Sequence, residues 1–303
     1  MHIFGRMDAS TPKLTDGVRV SRSPVRRIET LGDDGVLVGC DDGTVSLYRD
    51  GVRAVSLDGH DRAVTAMAVD RQRRSVAVGG LDRRVMLWEL PEGRCRYVLR
   101  EHRKGISHLS FSRNGSLLCS VGLDGCCRVY EGISGEELIF RRLPGRRGVA
   151  LLPGGTTALS YGVSPEITLW SFPGLEELDT LSGWTPCLHD GRPLHRHGGF
   201  LACDYNHRLI LFREGVEISM SATAGLSLTG RLNLAVSPEE EWAAVADAGR
   251  VELFSLPSLD PIGRLVPKGG VLTALCAADR ESLVIGNSAG VVSTYDVGGL
   301  TYC

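Results

Sequence analysis

Apolar and polar positions along this chain repeat one short programme. A stretch of small or apolar residues leads into a tight turn, and a β-rich run follows that ends on an aromatic side chain. The closing aromatics are Tyr48, Trp88, Tyr130, Trp170, Phe212, Phe254 and Tyr295, spaced 40 to 42 residues apart. Each closes a 13-residue window, and the windows begin at Val36, Val76, Leu118, Ala158, Phe200, Trp242 and Leu283. Turn residues such as Asp41-Asp42-Gly43 separate the runs, because Asp-Gly tolerates the positive φ of a tight hairpin.

Each window is flanked by further β-rich runs, so one unit predicts four strands. The first unit predicts strands over 25–31, 36–40, 44–48 and 53–57, and the second over 63–69, 76–80, 85–90 and 95–99. The fifth unit is the weakest, since its first strand must come from 184–194, which is rich in Pro, Gly and His. The seventh lacks a clear fourth strand. Residues 15–21 read as a strand ahead of the first unit and are expected to pair with the seventh. A lone four-stranded sheet cannot bury both faces, and an open array would leave unpaired edges.

A period of 40–45 residues with this strand–turn–strand signature resembles the WD40-repeat β-propeller family. Gly59-His60 stands before the second unit and Trp88-Glu89 ends its third strand, close to that family's GH and WD signatures. The resemblance implies an all-β, seven-bladed WD40-like β-propeller, closed by the N-terminal strand. It also implies a hydrogen-bonded lock in each blade, built from a His, a turn Asp, a strand Ser or Thr and the closing aromatic. His60, Asp82 and Trp88 match in the second unit, with Val78 and Gly80 where Ser is common. His102, Ser120, Asp124 and Tyr130 match in the third, whereas Ser164, Asn206 and Ala248 stand at the turn-Asp position later on. Seven units of about 41 residues nearly fill the 303-residue chain, so 15–303 is expected to be one domain and 1–14 a flexible tail.

Net charge is only −2, but it is unevenly placed. Residues 1–150 hold 25 Arg and Lys against 19 Asp and Glu, an excess of +6; the remainder holds 9 against 17, giving −8. Apolar stretches such as 271–278 are too short to span a membrane, and no secretory leader is evident. Nine cysteines with no CxxC pair read as free thiols, which suits an intracellular protein of the cytoplasm or nucleus.

In a propeller, blade-joining loops and the turns between second and third strands share one face. Arg62, Arg83, Arg84, Arg103, Lys104, Arg146 and Arg147 are expected there, with Arg22 and Arg26 near the same rim. Convergent arginines suit an acidic peptide, a phosphopeptide or a nucleic-acid backbone. Arg141 and Arg142, within Phe140-Arg141-Arg142-Leu143, resemble the Phe-Arg-Arg-Gly motif of phosphoinositide-binding propellers, with Leu143 in place of Gly. Cys187, His189, His195, His197, Cys203 and His207 carry zinc-ligand chemistry without finger spacing, so no metal and no cofactor is expected. No phosphate-binding loop or nucleophile elbow occurs. The reading is a non-catalytic scaffold for other proteins of a multi-subunit assembly. The alternatives are a subunit of an RNA-containing particle using the same arginines, and a phosphoinositide-binding trafficking propeller. A membrane partner is disfavoured.

Overall fold

The repeated windows fold as antiparallel meanders of four strands, seven times over. The computed structural model describes residues 17–298 apart from 33, 71, 73, 153, 164–165, 182–187, 205–207, 214–217, 223–232, 248 and 268. Six sheets span 25–56, 64–99, 106–142, 146–181, 188–222 and 233–265 in simple sequential order. The seventh combines Leu272–Ala277, Ser282–Asn287 and Val291–Asp296 with Val18–Arg19 from the start of the chain. There Val18 lies opposite Val292 and Arg19 opposite Val291, antiparallel. Val20 donates its amide to Gly290 O at 2.9 Å, and Tyr48 of blade one donates its hydroxyl to Val20 O at 3.3 Å. The expected closure strand therefore forms, over 18–19 among the described residues, with 15 and 16 of the expected 15–21 lying outside them. The expected tail, 1–14, lies outside the described residues.

Burial changes with distance from the ring axis. Second strands such as Ser75–Gly80 and Trp242–Ala246 are buried at every position. Both of their faces are covered by neighbouring blades, which is why they read as continuous small-apolar runs rather than alternating ones. Outer strands such as Val52–Ser56 and Glu137–Arg142 are mostly exposed. Among the described residues the core divides into seven apolar clusters, one at each blade–blade contact. The cluster of Val25, Val36, Val284 and Val292 joins the last blade to the first. Close approach decides some residues: a Cβ on Gly79 would lie 2.7 Å from the Ile106 side chain of the next blade.

Among the described residues, six inner strands carry a β-bulge near their start, between Val25/Arg27, Val64/Ala66, Ile106/His108, Arg146/Gly148, Leu188/Asp190 and Leu272/Ala274. A bulge sets two residues of one strand against one of its partner and re-aims the side chains beyond it. The inner strand of blade five, Leu188–Leu194, is regular after its bulge despite Pro193. An inner strand is a sheet edge facing the axis, so a missing N–H costs no ladder bond on that side. Gly191 is required there, because a Cβ would stand 2.1 Å from the Phe200 ring.

Candidate functional site

Backbone bonds sort the connections onto two faces. On one, the turn after each second strand is tied to the loop entering the blade: Asp41 N to Pro24 O, Leu81 N to Ala63 O, Leu123 N to Gly105 O, Val163 N to Gly145 O and Ser288 N to Val271 O, all 2.8–2.9 Å. On the other, Leu90 N binds Arg74 O and Gly132 N binds Ser116 O, each at 2.7 Å.

The blade locks sit just beneath the first face. In blade three, His102 Nδ1 lies 3.2 Å from both Asp124 oxygens, and His102 Nε2 lies 2.8 Å from Ser120 Oγ. A carboxylate only accepts, so Nδ1 carries the proton and Nε2 accepts from the Ser120 hydroxyl. Asp124 also accepts the Arg103 amide at 2.7 Å and the Cys126 amide at 3.1 Å. Burial alone would raise its carboxyl, but these amides and His102 hold it below the usual range. Burial pushes His102 below the ordinary imidazole value against the pull of Asp124. Blade two has half of this lock. His60 Nδ1 is 2.9 Å from Asp82, but His60 Nε2 and Trp88 Nε1 are buried without a partner, since Val78 stands where blade three has Ser120. Blade four retains the opposite half, with Trp170 Nε1 donating to Ser160 Oγ at 2.8 Å.

Later blades keep the turn cap at a shifted position that the family pattern had hidden. Asp204 accepts the Arg208 amide at 2.9 Å, Asp247 those of Gly249 and Arg250, and Asn287 those of Ala289 and Val291. Ser164, Asn206 and Ala248 lie outside the described residues.

The arginines separate into two groups. Arg62, Arg83, Arg103, Lys104 and Arg147 are exposed, and none of their side chains is in an ion pair or hydrogen bond among the described residues. Arg84 is instead held by Asp82 at 2.7 Å and by Asp61. Arg146 is buried, not surface-presented as the sequence suggested: its guanidinium binds Thr168 Oγ1 at 2.8 Å and the Glu166 carbonyl. The bulge between Arg146 and Gly148 explains the difference, because it turns Arg146 into the blade and Arg147 toward the axis. Arg26 is drawn to Asp41 at 2.7 Å.

Arg141 and Arg142 are exposed on the outermost strand of blade three. Adjacent strand residues leave opposite faces of a sheet, so strand geometry does not make them a pincer. In blade five, the amides of His195, Arg196 and His197 converge on the Glu240 carboxylate, and His197 Nε2 is 2.8 Å from Glu240 O. That loop is thus spent on holding blade six. Cys203 is buried within its sheet; Cys187, His207 and the His189 side chain lie outside the described residues.

The axis itself is a polar channel that sequence reasoning missed. A cavity of about 330 Å³ is lined from the inner strands of all seven blades. A second, of about 380 Å³, continues it and shares Glu29, Arg192, Leu234 and Leu275. His108, Tyr161, Asp190 and Arg192 come together here from blades three, four and five.

The chain matches the family model described as "WD domain, G-beta repeat" over residues 51–89 and 93–131. Each matched stretch covers the outer strand of one blade and three strands of the next. Over 70 residues it is 37% identical to WD repeat-containing protein 90 of Xenopus tropicalis, covering 22% of this chain and 4% of that protein. Over 97 residues it is 24% identical to WD repeat-containing protein 1 of Gallus gallus, covering 32% of this chain and 16% of that one. The chain thus aligns with only a small part of either relative's length. The crystal structure of the Cps50 (Swd1) β-propeller domain of Myceliophteria thermophila superposes with a TM-score of 0.81 at 14% identity, over 93% of this chain and 99% of that one. With two repeats matched in sequence and seven four-stranded blades closed into a ring, the chain is a seven-bladed β-propeller that carries WD40 repeats.

Proposed function

We propose that the protein is a non-catalytic scaffold in a multi-protein complex, docking an acidic segment of a partner protein on its arginine-bearing face. WD40 propellers generally bind other proteins. The observation that carries the proposal is the set Arg62, Arg83, Arg103 and Lys104: exposed cations on the blade-entry loops and turns of blades two and three, with no acidic partner among the described residues; Arg147 stands apart, on the inner strand of blade four. Cations left unpaired on a rigid surface steer an anionic partner and set its register. Arg84 pairs with both Asp61 and Asp82, which leaves about one negative charge there against the four cations. The seven described cysteines are free, which supports an intracellular setting.

The test is a native pull-down of the tagged chain, split into nuclease-treated and untreated halves, beside an Arg62→Glu/Arg83→Glu/Arg103→Glu variant. A defined set of proteins that survives nuclease and is lost by the variant is the expected result. A set lost on nuclease treatment would move the same cations onto RNA, through salt-sensitive phosphate contacts. A set retained by the variant would remove this face from consideration.

A further inference from the structure

We propose that the waist of the central channel is a binding site for a small oxyanion, a ligand bearing one phosphoryl or carboxylate group, held by Arg192, Tyr161 and His108. Three side chains from different blades bring unspent hydrogen-bonding groups to one cavity. Arg192 makes no side-chain hydrogen bond among the described residues, and its one ion pair, to Asp190, is long at 3.9 Å. His108 Nδ1 is shielded and has no hydrogen-bond partner. Tyr161 is buried with its ring edge-on to His108, centroids 6.1 Å apart. Its hydroxyl passes over Gly148, where a Cβ would come within 2.3 Å of it, and so reaches the channel lining.

Arginine presents a planar fork of donors that matches two oxygens of a carboxylate or phosphate. Tyr161 adds a hydroxyl donor, and His108 adds a second cation when protonated. The channel holds charges of both signs, Asp190 and Glu29 beside Arg26, Arg27, Arg147 and Arg192. Burial and the positive charges of Arg192 and Arg27 push His108 down to about 4, with Asp190 opposing. Asp190 and then Glu29 hold Arg192 charged against burial. A bound oxyanion would raise His108 again. The two cavities meet at Arg192, so a small solute has an approach along the axis. This site does not depend on the arginine face, and neither proposal needs the other.

The experiment is isothermal titration of the full chain with inorganic phosphate, and in a parallel arm with acetate, at constant ionic strength and pH 6. Wild type, Arg192→Gln, Tyr161→Phe and the outer-face control Arg83→Gln are compared. Saturable one-site binding of either anion is expected, weakened about tenfold or more in Arg192→Gln and unchanged in Arg83→Gln. The arm that binds more tightly assigns the ligand class. If Arg192→Gln fails to fold, Tyr161→Phe, which keeps the buried ring, must weaken binding by itself. Absence of saturable heat in both arms would overturn the site. Equal binding by wild type and the channel variants, or loss in Arg83→Gln alone, would assign the anion to the surface and overturn it as well.

Discussion

Ser120→Ala removes the hydroxyl at the centre of the blade-three lock, where it meets His102 and Tyr130. Ser120 is 0% exposed and His102 4%, and the bond between them is 2.8 Å long. Alanine keeps the backbone and removes one oxygen, so the change is an acceptor left buried without a donor, not a steric clash. Leaving a buried polar atom unsatisfied costs about 1–3 kcal/mol. The unfolding entropy of a 303-residue chain is on the order of 0.6 kcal/mol per kelvin. The expected fall in Tm is therefore about 2–5 °C. Blade two shows that the fold survives the loss, since His60 Nε2 already lacks a partner beside Val78. Val78→Ser should restore a donor there. It would lose about 1.6 kcal/mol of apolar burial and regain about 1 kcal/mol through the bond, leaving Tm within about 1–2 °C of wild type. Differential scanning calorimetry of both variants decides the matter. A Ser120→Ala protein that melts with the wild type would refute the argument that this bond stabilises blade three.

Two further perturbations test closure and titration. Deleting residues 1–23 removes the partner of Val291–Asp296 and exposes a strand edge, so size-exclusion chromatography should show aggregation; a monomeric deletion with unchanged Tm would count against the closure strand. In a phosphate-free buffer, stability should fall as pH drops from 6.5 toward 4, because His108, pushed down to about 4, and His102, also lowered, favour neutral imidazole in the fold while the unfolded chain takes up protons first. Below about pH 4 a second loss follows as the depressed carboxyls of Asp82 and Asp124 protonate. His108→Asn should flatten the upper limb by roughly 1–2 kcal/mol, the shift discounted for its partial contact with the channel; an unchanged slope between pH 6.5 and 4 would remove His108 from that account.

The later blades show where family pattern and physical need part. A tight turn after the second strand needs an acceptor for its amides, but not at one fixed position. Asp204 and Asn287 supply it from the last residue of the strand, and Asp247 from the first residue after it. A motif aligned on Asp82 and Asp124 passes over them. Blade five misled in a related way, since Pro193 and Gly191 argue against a strand until the strand is known to be an inner edge packed on Phe200.

Period, blade number and the closing role of the N-terminal segment were legible in the chain alone, because each blade is a local meander whose turns and apolar runs are contiguous. Burial of the second strands was legible for the same reason, as uninterrupted small-apolar runs. Arg146 and Arg147 were not separable, because a one-residue bulge decides which of two neighbouring arginines enters the blade and which faces the axis. Nor was the channel, because His108, Tyr161 and Arg192 are 84 residues apart from first to last and meet only when the ring closes. Side-chain convergence across an axis is set by blade count and strand tilt acting together, and no local stretch of sequence records it.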